Sequence, residues 1–217
     1  LNAIYTPGPN DITNGTVTLI LTTNDPVGPC APAVDNVIIT INPAATVDAG
    51  PALSICSDAT ATMAGVIGGG ASSATWSTTG DGSFSNASLL TAIYTPGVND
   101  ITNGTVTLTL TTNDPAGPCG PANDFVILTI DPAATVDAGS AQTICSDATA
   151  TLAGVIGGGA TSATWSTPGD GTFNNATILN AVYTPGPNDI TNGSVTLTLT
   201  TDDPAGACPA VFDVVAI

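Results

Sequence analysis

The sequence predicts an all-β fold: a string of two-layer β-sandwiches of about seven strands each, laid out on an 89-residue repeat. Three observations carry that prediction. The phrase YTPGPNDITNG at Tyr5 returns as YTPGVNDITNG at Tyr94 and YTPGPNDITNG at Tyr183, always 89 residues on. The apolar residues alternate with period two, and no stretch shows a helical period with caps. Clusters of Gly, Pro, Asn and Asp separate the short apolar runs, as strand-to-strand turns require.

The register of the repeat is strict. Cys30, Cys119 and Cys208 keep the step, as do Cys56 and Cys145, and Trp76 and Trp165. One full unit runs over 44–132, and a second, nearly complete, over 133–217. Residues 1–43 match only the C-terminal half of a unit. The chain thus begins in mid-repeat and reads as a window on a longer array, with no apolar run long enough to span a membrane.

Each run within 44–132 has a strand reading. TVTLTLTT (105–112) sets Val106, Leu108 and Leu110 against Thr, the alternation of a half-buried strand. FVILTI (125–130) is more continuously apolar and is expected to be more fully buried. LSIC (53–56), ATATMAGVIG (59–68), SATWST (73–78), GSFS (82–85) and LTAIYT (90–95) complete the set. The residues around Asp48 read as linker. Trp76, Trp165, Tyr94 and Tyr183 are expected in the core, with each tyrosine hydroxyl seeking a partner near the surface. The repeated phrase reads as a corner: Pro96 and Gly97 turn the chain, and Asn103-Gly104 is a two-residue turn signal.

Composition narrows the function. All 17 acidic residues are Asp, there is no Lys, Arg or His, and the net charge is -17. Such a chain cannot neutralise phosphates, so nucleic acid and anionic membrane surfaces are excluded as partners. Without His, Lys, Arg or Glu there is no ordinary general base, Schiff-base amine or oxyanion clamp, and the chain is not expected to be an enzyme. Asp-only chemistry exists in aspartic proteases, but VDAG at Val47 lacks the hydroxyl residue expected after a protease Asp.

Two cysteine pairings respect the repeat. Within units, Cys56 pairs with Cys119 and Cys145 with Cys208, leaving Cys30 to a partner outside the window. Between units, Cys30 pairs with Cys56 and Cys119 with Cys145. The first is preferred, because strand one and the ten-residue loop DPAGPCGPAN (114–123) are expected at one end of the sandwich. Either implies an oxidising, extracellular setting. With no CxxC and no His, a metal-thiolate site is disfavoured.

Asp recurs in both copies. Asp48, Asp114 and Asp124, with their counterparts Asp137, Asp203 and Asp213, place carboxylates in loops such as TTNDP and GPAND at the inter-unit end. Calcium is the ion such oxygens would take; turn-forming Asp on a solvated face is the alternative. DGSFSN at Asp81 opens like an EF-hand loop, but Ala92 stands where the bidentate Glu belongs, so GDG reads as a hairpin turn. Asn14, Asn86, Asn103, Asn175 and Asn192 fall in N-x-S/T sequons that Asn-Gly turns generate by chance.

The run SICSDATATMAGVIGGG, TWST, GDG, YTPG, NDITNGTVTLTLTTNDPAGPC and FVILTI resembles the PKD-like and Ig-like tandem repeats of large secreted bacterial surface proteins, including adhesin-like proteins of gliding bacteria. The resemblance covers the whole chain. It implies Ig-like or PKD-like β-sandwich beads in an extracellular stalk, filament or fibre, with neighbouring repeats or other copies as partners and no catalytic residues. The alternative is a carbohydrate- or surface-binding Ig-like module of a secreted protein. Missing cations fit a fibre: trypsin-like proteases find no site, and Lys-Asn cross-links are impossible. One continuous giant polypeptide is favoured over subunits joined by donor-strand exchange.

Overall fold

The computed structural model describes residues 2–24, 27–115, 117–204 and 206–217. In the first full unit, Thr105–Thr112 pairs antiparallel with Asn123–Asp131 on one side and Ala74–Thr78 on the other. Leu53–Cys56 completes a four-stranded sheet by running parallel to the end of Asn123–Asp131. The facing layer holds Ala61–Thr62, Ile93–Thr95 and Ser83–Phe84, flanked by the pair Ala45–Asp48 and Val66–Gly69. The fold is all-β and Ig-like, a sandwich whose first strand is split between the two layers. The split falls at Gly50, whose φ of 89° suits the residue without a Cβ.

Alternation builds the core. Val106, Leu108 and Leu110 point inward with Val126 and Leu128, and meet Ala61, Met63, Ala92 and Tyr94 of the other layer. Trp76 is buried among them, with Phe84 stacked 6.0 Å away and Tyr94 a further 4.9 Å from Phe84. The second unit repeats this cluster around Trp165, Phe173, Tyr183, Leu197 and Leu199. Among the described residues the N-terminal segment supplies one short helix, Pro9–Asn14, and the hairpin Thr16–Thr22 and Val34–Thr40. Among the described residues no layer faces its inward side: Leu21 is 64% exposed, where its counterpart Leu110 is 0%.

Four expectations are corrected. The repeated phrase is a six-residue helix rather than a hairpin turn: Pro9–Asn14, Val98–Asn103 and Pro187–Asn192. Gly104, at φ 71°, ends its helix by donating its N–H to Asp100 O and Ile101 O, so Asn-Gly here is a helix C-terminus. Second, Asn123–Asp131 is buried on one face only. Phe125 (59%) and Ile127 (47%) stand exposed, because nothing covers the outer side of the four-stranded sheet among the described residues. Third, the expected strand 59–68 divides into Ala61–Thr62 and Val66–Gly69 around Gly65, where a Cβ would come within 2.6 Å of Leu110 Cδ2. Fourth, Ala45–Asp48 is a strand, not linker, and the first full unit shows nine strand segments among the described residues.

Candidate functional site: the joint between consecutive units

The last strand of the first unit ends at Asp131, directly beside Cys56 in the parallel register. The Asp131 carboxylate accepts the Ser54 hydroxyl at 2.6 Å from its own unit and the Ala207 N–H at 2.9 Å from the next. Ser54, then Ala207, hold it below the usual carboxylate range. Ala207 lies in the loop between Thr196–Thr201 and Phe212–Ala216, which leans back onto the preceding unit. Gly206, at φ 104°, lets the backbone pass this close: a Cβ there would lie 2.2 Å from the Asp131 carboxylate. Ser57 closes the other side, donating its N–H to Asp131 O at 2.8 Å and accepting the Ala133 N–H at 3.0 Å.

At the centre of this joint Cys56 is bonded to Cys208, 152 positions away and in the next unit. The preferred pairings Cys56–Cys119 and Cys145–Cys208 are thus overturned, and so is the alternative set. The parallel register explains why. It puts Cys56 beside Asp131, at the exit of the nine-residue strand Asn123–Asp131, while Cys119 precedes its entry. A strand of that length separates its ends by about 27 Å, far beyond the 7 Å limit between bridged Cα atoms. Cys30 and Cys145 are exposed thiols and Cys119 a half-buried one. Cys119 nevertheless occupies the same kind of seat. Its sulfur lies 3.4 Å from Asn42 O, as that of Cys208 lies 3.3 Å from Asp131 O, and 42 and 131 are one repeat apart.

A second polar cluster anchors each unit internally. The Asp100 side chain is 2% exposed, yet accepts the Tyr94 hydroxyl at 2.6 Å and the Gly82 and Gly97 N–H groups at 3.0 Å each. Asp81 accepts the Asn99 and Asp100 N–H groups at the start of the helix, so GDG clamps that helix instead of merely turning. Tyr183, Asp189, Gly171 and Asp170 repeat the arrangement. Tyr5 and Asp11 pair in the N-terminal segment. The sequence reading placed the tyrosine rings in the core but did not find their partner; the six-residue offset from Tyr to Asp in YTPGxND was the available signal.

These contacts fix the pH response. Burial pushes the Asp100 carboxyl up, but the Tyr94, Gly97 and Gly82 donors outweigh it and leave the pKa lowered; Asp189 behaves alike. Burial first, then the Asp100 carboxylate, push the Tyr94 hydroxyl up to about 12. A lowered acid stabilises above its unfolded pKa of about 3.9 and loses that contribution as pH falls through the folded value. A raised phenol stabilises below its unfolded pKa of about 10 and loses the contribution as pH climbs toward the folded value. Thermal melts should therefore show a plateau between about pH 5 and 9, with stability declining on both sides.

The aspartates expected to hold calcium are dispersed over backbone contacts. Asp124 accepts the Ala49 N–H at 2.8 Å while Asp48 accepts the Gly50 N–H at 2.8 Å; Asp213 and Asp137 do the same for Ala138 and Gly139. Asp114 and Asp203 are exposed in the long loops. Among the described residues no three acidic or sulfur side chains converge as an ion-holding group.

Sheet order, split first strand and duplicated core define the class: a tandem array of Ig-like β-sandwiches, here with a cystine between two of its units. No family model matches the chain. No curated protein matches it either. Among solved structures it is similar to the protocadherin GammaB4 extracellular domain, at 13% identity and a TM-score of 0.36, covering 95% of this chain and 40% of that one. It is also similar to the insect immune protein hemolin, at 10% identity and a TM-score of 0.46, covering 91% of this chain and 55% of that one. A third similarity is to human CDH23 EC21-23, at 13% identity and a TM-score of 0.41, covering 84% and 67%. Among the described residues no helix is long and apolar enough to cross a membrane.

Proposed function

We propose that the chain is a structural repeat segment of an extracellular bacterial fibre, filament or adhesin stalk. Its beads are Ig-like domains at 44–132 and 133–217, preceded by the C-terminal half of another at 1–43. The observation that carries this reading is the Cys56–Cys208 bridge, which ties one unit to the next. A cystine at a joint suits an oxidising compartment and a load that acts along the array. The partners are neighbouring repeats or other copies in the fibre. Uniform negative charge, with no Lys or Arg to offset it, keeps fibres apart unless divalent cations bridge them.

The carbohydrate-binding alternative loses its best stacking platforms, because Trp76 and Trp165 are both 2% exposed. Immunogold labelling of intact cells with antibody to this chain tests the proposal. Label along appendages outside the cell supports it; label that appears only after lysis sinks it.

A further inference from the structure

We infer that the end of the second unit around Cys145 is a docking face for the Gly-x-Cys loop of a further copy of this unit, closed by a cystine like that at Cys56. This rests on the fibre reading above and names the partner of its joint. The face recurs one repeat after the occupied one: Ile144, Cys145 and Ser146 stand where Ile55, Cys56 and Ser57 stand in the first unit. In the first unit the face is engaged, with Cys56 bonded to Cys208. In the second, Cys145 is an exposed thiol beside a groove of about 410 Å³ lined by Ile144, Ile190, Gly193, Val195 and Ile217.

That groove is no small-molecule pocket. In the first unit the same place is filled by Ile130, 3% exposed, whose N–H donates to Gly104 O at 2.8 Å. Gly193 is the counterpart of Gly104. The groove therefore corresponds to the place that Ile130 takes in the first unit. In a chain lengthened by counterparts of 129–132, the register of the first unit would bring the counterpart of Asp131 beside Cys145, where it can take the next loop. The other half of the joint is also built a second time, since Cys119 sits against Asn42 as Cys208 sits against Asp131. The partner of Cys119 is accordingly the first cysteine of a preceding copy.

Closing every joint this way has a mechanical consequence. Cys119 and Cys145 are 26 residues apart, yet the first faces the joint before the first full unit and the second the joint after the second. The backbone between them crosses both units largely along the strands Asn123–Asp131 and Ala134–Asp137. Such a path cannot exceed its extended limit of about 90 Å. Cys30 to Cys56 forms the equivalent path one unit earlier. Two interleaved covalent lines then run through each unit, and unfolding the rest of a unit adds length only up to that limit.

The test extends the full chain by one unit: a copy of 129–132 after Ile217, then a copy of 133–217. The original chain has five cysteines and three free thiols. The extended chain, with two cysteines more, should still have three free thiols by alkylation and mass, and a non-reducing digest should join Cys145 to the last cysteine of the added unit. Cys145→Ser in the extended chain should free that last cysteine while leaving Cys56–Cys208 closed. A free Cys145, or Cys145 joined to Cys208, overturns the inference. If Cys56–Cys208 forms and Cys145 stays free, only this inference falls; if neither bridge forms, the joint described above falls with it.

Discussion

Pulled by its two ends in oxidising buffer, the chain should lengthen only through residues outside the Cys56–Cys208 loop, and reductant should then release roughly 50 nm of hidden contour. The bridge spans 152 positions, and an extended residue contributes about 3.3–3.6 Å. Within-unit bridges would instead hide two separate stretches of 63 positions, Cys56 to Cys119 and Cys145 to Cys208. The two patterns are separable in one force trace. The same bond should dominate stability. Closing a loop of this length restricts the unfolded chain by about 5 kcal/mol in loop-closure terms. Cys208→Ser should lower the melting temperature by about 10 °C, and Cys119→Ser should leave it unchanged.

Asp100→Ala should be among the most damaging polar changes inside a unit, at about 3 kcal/mol by urea unfolding. It strips the acceptor from the buried Tyr94 hydroxyl and from the half-buried Gly82 and Gly97 N–H groups. Asp100→Asn should cost about 2 kcal/mol, since a neutral amide oxygen accepts more weakly than the carboxylate Oδ2 that takes all three donors. Tyr94→Phe should cost less, because two N–H donors remain on the carboxylate. Asp189→Ala repeats the effect in the second unit, and the double variant should be nearly additive, the two clusters sharing no residue. Non-additivity of more than about 1 kcal/mol would show that the units unfold as one.

Much of the sandwich was legible because period-two alternation is a local signal. TVTLTLTT could place Val106, Leu108 and Leu110 on one face without knowing what they meet. The FVILTI run misled for a related reason: continuous apolarity suggests two buried faces, but Phe125 and Ile127 face outward. The phrase YTPGxNDITNG was misread because Asn-Gly serves both a hairpin turn and the end of a short helix. The deciding residue, Asp100, acts through Tyr94 and Gly82, contacts that turn chemistry alone does not reveal. The cysteine pairing was hidden more deeply. The repeat permits several registers, and choosing among them requires knowing that Leu53–Cys56 lies parallel to the last strand. That parallel pairing carries Cys56 to the exit end, where the next unit's loop brings Cys208 against it.

A non-reducing proteolytic map of the oxidised chain tests the Cys56–Cys208 joint most directly. A disulfide-linked peptide pair containing Cys56 and Cys208, with Cys30, Cys119 and Cys145 recovered as alkylated thiols, is the predicted result. Linked pairs joining Cys56 to Cys119 and Cys145 to Cys208 would contradict it, and would return the array to beads that are stapled singly and joined by backbone alone.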